Sequence, residues 1–499
     1  MKRYFYAHIF IELLLLLLGV LLVGYNIEGY PAFTALDEGL RLYFAKQVAE
    51  HGTWALATQD GYRAYWRDST GLLILGPIIL AFKLFGPSLG LARWVIGIFL
   101  VLGIFIVYRA INEWYGTLAA ILAVALFLFF GPPWLNSVTM GRWVYGELPA
   151  LVLFIAGCWQ WGHAVEQHSQ RLLGASLIFA LAVLAKDLFA PLIMTTMIAV
   201  FIYDRWHGGV IRVRHIGLPV IMCLIALGGW SLWQYTVSLP YESGHQHNIF
   251  HLSLSRIVVL SPDISVNNVK FLYDSGVLIA IPAALYVAFL RQHEPKLAHL
   301  MLPFSLFIWS VWYTIFSIGW PRYAYPIWAI GGVLLSVVLS DIAKQWYIMI
   351  DAKSVFQRIV YLMCVGMVLF IVVLWPAQNT IRRLTEQLNN DAPNMAAYID
   401  ANIPHHTRIV SSQWEVSFYS SRTYIPIPDE YYEAKIAEQS RRSFTITHFT
   451  SMNDLNAEYI LDGSENRIVE MVPVHVLQRD YKPVFQNDSY CLYRLRNVK

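Results

Sequence analysis

Charged side chains are scarce in this chain, and those that occur gather at turns between apolar runs. The stretch FTALDEGLRLYFAKQV, residues 33–48, sets Asp37 beside Glu38 just after the first apolar run. If this stretch is helical, Asp37 and Arg41 lie four apart and share one face. Arg63, Tyr65, Arg67 and Asp68 follow in YRAYWRDST, Glu147 in WVYGELPAL, Lys186 and Asp187 in LAVLAKDLFAPL, and Arg322 and Tyr323 in GWPRYAYP. A carboxylate can take a proton from an acceptor hydroxyl or amine. Arginine and lysine can hold an anionic leaving group and offset its developing charge. Together these residue types suit transfer of a group from a lipid phosphate, with Asp37 and Glu38 as the catalytic pair and Arg41, Arg63, Tyr65, Arg67, Glu147, Lys186, Arg322 and Tyr323 binding substrate.

Each position also has a purely structural reading. Thr34 with Asp37 three residues later fits a helix capping box. Glu147 precedes Leu148-Pro149, and proline favours a first helical turn. Lys186 and Asp187 suit an ion pair at a helix end. Arg67 suits a snorkelling side chain, and Tyr62, Tyr65 and Trp66 suit an interfacial aromatic belt. Taken singly these readings suffice; none explains why the charges recur at turns on one side.

The elements that must position them are membrane helices. Of 499 residues, 57% are hydrophobic and 14% charged, against roughly a quarter charged in soluble proteins. Apolar runs approaching the ~20 residues that cross a bilayer fall at 6–25, 91–108, 117–133, 148–164, 172–185, 188–203, 216–235, 276–290, 300–318, 323–340 and 357–376, about eleven spans. The start MKRYFYAHIF lacks a small-residue cleavage site ahead, which implies a retained first helix. The run 72–86, interrupted by Pro77 and Lys83, reads as a helix lying at the interface. Basic residues concentrate in alternate loops, YRAINEWYG, HSQR, YDRWHGGVIRVRH, RQHEPK and DIAKQWYIMIDAKSVFQR. Those loops are therefore cytoplasmic. The N-terminus is then inside. The first loop (26–90), the acidic and basic turns and the C-terminal portion are outside.

From residue 377 the composition becomes that of a soluble unit, 377–499, after a transmembrane region of 1–376. PNMAAYIDANI reads as a helix; RIVSS, AEYILDG and the pair YKPVFQ and YCLYRL around NDS read as strands of a small α/β domain. The four cysteines, Cys158, Cys223, Cys364 and Cys491, form no disulfide or zinc pattern. His245, His247 and His251 are loosely spaced in an outer loop, and a solvated loop is the simpler reading than a metal site. No cofactor is expected, although the sequence leaves a divalent ion open. A formal charge of +3 without a basic block offers nothing to nucleic acid. A transporter or lipid flippase is the alternative class. Such proteins bind near the midplane and often repeat internally, and no repeat is visible here.

The stretches LDEGLRLYFAKQVAEHGTW, FKLFGPSLGLARWVIGIFLV, VYGELPALVLFIAG, LAVLAKDLFAPL and WPRYAYPIW, in that order over residues 36 to about 330, resemble the membrane glycosyltransferases of the C-type fold. The likeness is greatest to the bacterial aminoarabinose lipid A transferases and the protein O-mannosyltransferases. The resemblance implies a sugar, hexose or pentose, linked to a polyprenyl phosphate. It implies inverting transfer to lipid A, a glycan or a protein at the periplasmic face of the bacterial inner membrane. It places the first-loop aspartate, a general base, on Asp37, the neighbouring acid on Glu38, and a second acid on Glu147. An arginine usual three residues after the aspartate is Leu40 here, with Arg41 next to it. A Glu-Lys-Pro stretch falls on Trp66, Arg67 and Asp68, losing a glutamate that sometimes binds metal. Lys186 retains the lysine of a Thr-Lys-Gly turn, and an Arg-Tyr pair falls on Arg322 and Tyr323.

Overall fold

The structure, a computed structural model, describes residues 2–32, 35–64, 69–167, 170–241, 260–291, 297–350, 359, 363, 366–387, 389–427, 457–463 and 474–496. Thr34, Tyr65, Trp66, Arg67, Asp68, His245, His247, His251 and Cys364 lie outside the described residues. The capping box, the phosphate contact of Arg67 and the histidine loop therefore have no structural description here.

Helices dominate. The first apolar run is α1 (Lys2–Gly24). After a loop, one turn of π-helix (Ala35–Gly39) leads into α2 (Leu40–His51), which stops at Gly52 in the left-handed conformation. A hairpin, β1 (Ala55–Thr58) and β2 (Gly61–Ala64), precedes α3 (Leu72–Phe85). Helix α4 (Leu89–Tyr115) is capped by Ser88, whose hydroxyl accepts from the Leu91 amide. There follow α5 (Thr117–Phe129), a short α6 (Ser137–Met140), α7 (Glu147–Gln167), α8 (Arg171–Ala185), α9 (Phe189–Trp206) and α10 (Val213–Ser238). Beyond them come α11 (Pro262–Asp274), α12 (Ala280–Leu285), α13 (Leu297–Ile315) and α14 (Tyr325–Ile350).

Among the described residues, four helices are long and apolar enough to cross a membrane, five if the bent pair Pro262–Asp274 and Val277–Leu290 counts as one span. Thr117–Phe129, Arg171–Ala185 and His299–Ile315 are apolar but shorter. At 1.5 Å per residue a helix of 13 residues covers only ~20 Å of a ~30 Å hydrocarbon layer. The expectation of eleven spans needs these shorter helices together with Ile9–Gly24, Phe189–Trp206 and the run 357–376, part of which lies outside the described residues. The run 276–290 is not one regular helix: it breaks into 3-10, α and π pieces. Helix α3 buries one stripe, Ile74, Leu75, Ile78 and Phe82, and exposes Leu80, Leu84 and Phe85. Helix α3 thus faces the bundle on one side and is apolar on the other.

Past α15 (Trp375–Leu384) the chain forms α16 (Asp391–Asn402), β3 (Ile409–Ser411), α17 (Trp414–Tyr419), β4 (Tyr459–Gly463), α18 (Val474–Asp480), β5 (Tyr481–Gln486) and β6 (Tyr490–Leu495). The sheet order is β3-β4-β6-β5, with β3 and β4 parallel and the remaining pairs antiparallel. The helix at PNMAAYIDANI and the strands read from RIVSS, AEYILDG and the last two runs are all present. Met395, Ile399, Ile409, Leu461 and Leu492 form a core of their own.

This C-terminal unit rests on the first loop. Gln59 exchanges side-chain hydrogen bonds with the Thr407 carbonyl (2.8 Å) and the Ile409 amide (3.1 Å). Lys46 donates to the Phe418 and Ser420 carbonyls at the end of α17, at 2.9 and 3.0 Å. A cation suits the exposed carbonyls of a helix C-terminus. Trp414 packs on Tyr43, ring centroids 5.6 Å apart.

Candidate active site

Five of the charged residues singled out in the sequence, Asp37, Arg41, Glu147, Lys186 and Arg322, come from four separate places in the chain and meet at one end of the bundle. The π-turn carries Asp37; extra-wide helical turns of this kind recur at functional sites. One turn on, Arg41 reaches back to the Asp37 carboxylate at 3.5 Å, on the shared face that their spacing implies. Its guanidinium also donates to the Val144 carbonyl at 3.0 Å. From the other side, Arg322 pairs with the second Asp37 oxygen. Arg322 sits in the short 3-10 turn Pro321–Ala324 that opens α14. Its Nε also lies 3.8 Å from Glu147.

Glu147 is the first residue of α7, and Lys186 immediately follows the last residue of α8. The carboxylate thus meets the positive end of one helix dipole and the ammonium the negative end of another. The two side chains pair at 3.1 Å and are almost wholly buried. Aromatic faces line the cluster. Lys186 lies 5.9 Å from the Tyr323 ring centroid, while Tyr145 takes the guanidinium of Arg41 at 5.3 Å and of Arg322 at 5.2 Å. Three cations, Arg41, Lys186 and Arg322, therefore surround two carboxylates, Asp37 and Glu147. Asp37 is the most open of the five, its side chain 30% exposed, against 13% for Arg322 and 4% or less for the others.

Local backbone pairing delivers Lys186 to this place. Thr70 bridges Lys186, and the Gly71 and Asp187 amides donate to the Ala185 and Ser69 carbonyls. Position 71 must be glycine for this: a Cβ there would lie 2.0 Å from the Leu184 carbonyl oxygen. The end of the first loop is thereby stitched to the α8–α9 turn.

Glu38 does not share the site with its neighbour. It points into the bundle, fully buried, and Arg93 of α4 grips it with two hydrogen bonds of 3.0 and 2.8 Å. The Val144 amide adds a third at 3.2 Å. Glu38 has no exposed surface in this arrangement and faces Arg93 and Val144, not the cluster that Asp37 joins. Successive residues of a helix point about 100° apart, which is why two adjacent acids part here. Arg63 lies on β2 across from Leu56, on the hairpin and not on the elements that carry the cluster.

Three residues that sequence reasoning passed over shape the site: Arg93, Tyr145 and Arg142. Arg142 is wholly buried and donates to four backbone carbonyls, those of Leu22, Tyr25, Asn26 and Tyr30. It thereby pins the end of α1 to the loop preceding Asp37, and burial lowers its pKa to about 10. Arg93 and Arg142 sit in otherwise apolar or aromatic stretches. A buried arginine needs a partner, and that is the signal their sequence context carried. Among the described residues, no group of three His, Cys, Asp or Glu side chains is placed to hold a metal ion.

Residues 75–233 match the sequence profile described as dolichyl-phosphate-mannose-protein mannosyltransferase. No curated protein matches. Among solved structures, ArnT from Cupriavidus metallidurans bound to undecaprenyl phosphate superposes with a TM-score of 0.63 at 15% identity, covering 99% of this chain and 98% of that one. The archaeal oligosaccharyltransferase AglB from Archaeoglobus fulgidus, in complex with an inhibitory peptide and a dolichol-phosphate, gives 0.59 at 14% identity, over 99% of this chain and 75% of that one. The expected likeness is thus present along nearly the whole length, and the chain is a multi-pass membrane protein with the C-type glycosyltransferase fold that ArnT and AglB share.

Proposed function

We propose that this protein is a glycosyltransferase that moves one sugar from a polyprenyl phosphate to an acceptor at the periplasmic face of a bacterial inner membrane. The observation that carries the reading is the partly exposed Asp37 carboxylate set among Arg41, Arg322 and, through Glu147, Lys186. Asp37 takes the proton of the acceptor hydroxyl or amine. The acceptor atom attacks the anomeric carbon from the face opposite the phosphate. The bond from that carbon to the phosphate oxygen breaks, and the polyprenyl phosphate leaves with the electron pair. Inversion follows from that geometry. The cations of the cluster offset the charge that grows on the leaving phosphate. Arg322 is shared between two carboxylates, so an arriving phosphate competes for it and frees Asp37 to act as a base.

The undecaprenyl phosphate held by ArnT and the dolichol-phosphate held by AglB support this donor class. Lipid A, a glycan and a protein are all compatible acceptors. We assign the phosphate to the three cations and Arg67 without a metal ion. Glu38 is reassigned to holding the π-turn in place. The outer location of residues 377–499 is part of the same reading, since Trp414, Phe418 and Ser420 among them lie against Tyr43 and Lys46 of α2, next to Asp37.

The test is mass spectrometry of lipid A and surface glycans with and without the gene, followed by transfer in proteoliposomes. Loss of one sugar from one envelope component, and release of free polyprenyl phosphate only when acceptor is present, are the expected results. Movement of the lipid across the bilayer without sugar release would indicate a flippase instead.

A further inference from the structure

Helix α11 is bent by 79° from the segment that follows it. It exposes Val266, Val269 and Tyr273 and buries Asn268 and Leu272. Asn268 is a polar side chain 2% exposed, at the centre of a helix remote in sequence from every residue of the site. Its amide nitrogen donates to the Tyr313 carbonyl at 2.8 Å and the Ser317 carbonyl at 3.3 Å. The Tyr313 carbonyl belongs to the last turn of α13, where carbonyls have no partner within the helix. Asn268 therefore satisfies the end of α13 from outside.

The other end of the same amide meets the chain just downstream. Gly319 has a φ of +86°, and a Cβ there would lie 2.5 Å from Asn268 Oδ1. The Gly319 amide donates to the Ser317 hydroxyl at 3.1 Å, and the Tyr313 hydroxyl to the Gly319 carbonyl at 3.4 Å. Three residues on, the chain delivers Arg322 to Asp37 and Glu147. The side chain of Asn268 is thus wedged between the last turn of α13 and the bend that aims Arg322.

We propose that Asn268 is a positioning residue that sets the direction of the Arg322 turn, and so the cation that meets the donor phosphate. The inference rests on the phosphate role given to Arg322 above. Leucine at 268 keeps the bulk but leaves both carbonyls without a donor, and the bend at Ser317–Gly319 then has no fixed register. A displacement of ~1 Å in a positioned group can cost as much as ~100-fold in a reaction.

The experiment measures binding of undecaprenyl phosphate to the purified full-length chain in detergent, for wild type, Asn268→Leu, Arg322→Ala and the double variant, with thermal unfolding alongside. Asn268→Leu should weaken binding roughly fivefold, the scale of a lost buried hydrogen bond. In the Arg322→Ala background it should change binding less than about twofold, because the two act through one contact. Wild-type binding by Asn268→Leu, with binding weakened in Arg322→Ala, overturns this proposal alone. Full additivity of the two losses also overturns it, and makes Asn268 a general structural residue. Unchanged binding in Arg322→Ala removes the phosphate role itself and this proposal with it. If Asn268→Leu does not accumulate, Asn268→Asp, equal in shape but unable to donate when ionised, is measured in its place with the same expectations.

Discussion

Replacing Asp37 and Glu38 one at a time should give opposite defects, although they are neighbours in the chain. Glu38→Gln leaves Arg93, fully buried, without its counter-ion and weakens the two hydrogen bonds of 3.0 and 2.8 Å. Breaking a buried ion pair from one side costs about 3–5 kcal/mol. That is a large share of the ~5–15 kcal/mol that holds a typical domain folded. Asp37 is 30% exposed, and its partners Arg41 and Arg322 keep other contacts without it, Arg41 to the Val144 carbonyl and Arg322 to Glu147. Partly exposed ion pairs are worth up to ~1 kcal/mol, and asparagine keeps the shape. Asp37→Asn should therefore insert and unfold like wild type, yet lose ~100-fold or more in sugar transfer, because base catalysis supplies about that factor. Glu38→Gln should lower the unfolding temperature and the yield, while the molecules that fold retain much of their turnover. The assay pairs detergent unfolding curves with transfer in proteoliposomes at matched amounts of folded protein. Near-normal transfer by Asp37→Asn would refute the base assignment and send the search to Glu147. A stable but inactive Glu38→Gln would refute the separation of roles.

Lys186→Ala leaves Glu147 buried with, among the described residues, the more distant Arg322 as its remaining cation, so it should cost about 3–5 kcal/mol and weaken undecaprenyl phosphate binding, both read on the purified protein. Gly71→Ala would place a Cβ 2.0 Å from the Leu184 carbonyl; overpacking of that kind costs about 1–3 kcal/mol, and transfer should fall with it as the first loop parts from Lys186. In α17, burial raises the Glu415 carboxyl to about 8, and Tyr490 donates to it at 2.8 Å. The folded state therefore holds a proton that the unfolded state has released between about pH 4.5 and pH 8. Stability from this group is intact below that window and falls as pH rises through it. Glu415→Gln should unfold like wild type near pH 4 and be more stable by up to a few kcal/mol at pH 8; a flat difference across that range counts against the buried proton.

The sequence alone determined that this is a membrane protein, and roughly where most of the apolar helices lie, because hydrophobicity and helix ends are local properties; α11, which falls between the apolar runs, was not among them. It marked Asp37, Arg41, Glu147, Lys186 and Arg322 for the same reason: charge in an apolar context is costly wherever it sits. The i,i+4 geometry of Asp37 and Arg41 was legible because helical spacing is fixed. What no spacing could supply was which charges face one another. Asp37 meets Arg322 across 285 positions of chain, and Glu38 turns instead to Arg93, a partner chosen by how α4 packs beside the π-turn. The separation of two adjacent acids into an open group and a buried anchor is a property of packing. So is the place of Asn268, whose amide is meaningful only once α11 lies against the end of α13. Local patterns name the residues that need partners; only the folded arrangement, in which burial and electrostatics act together over long separations, decides who the partners are.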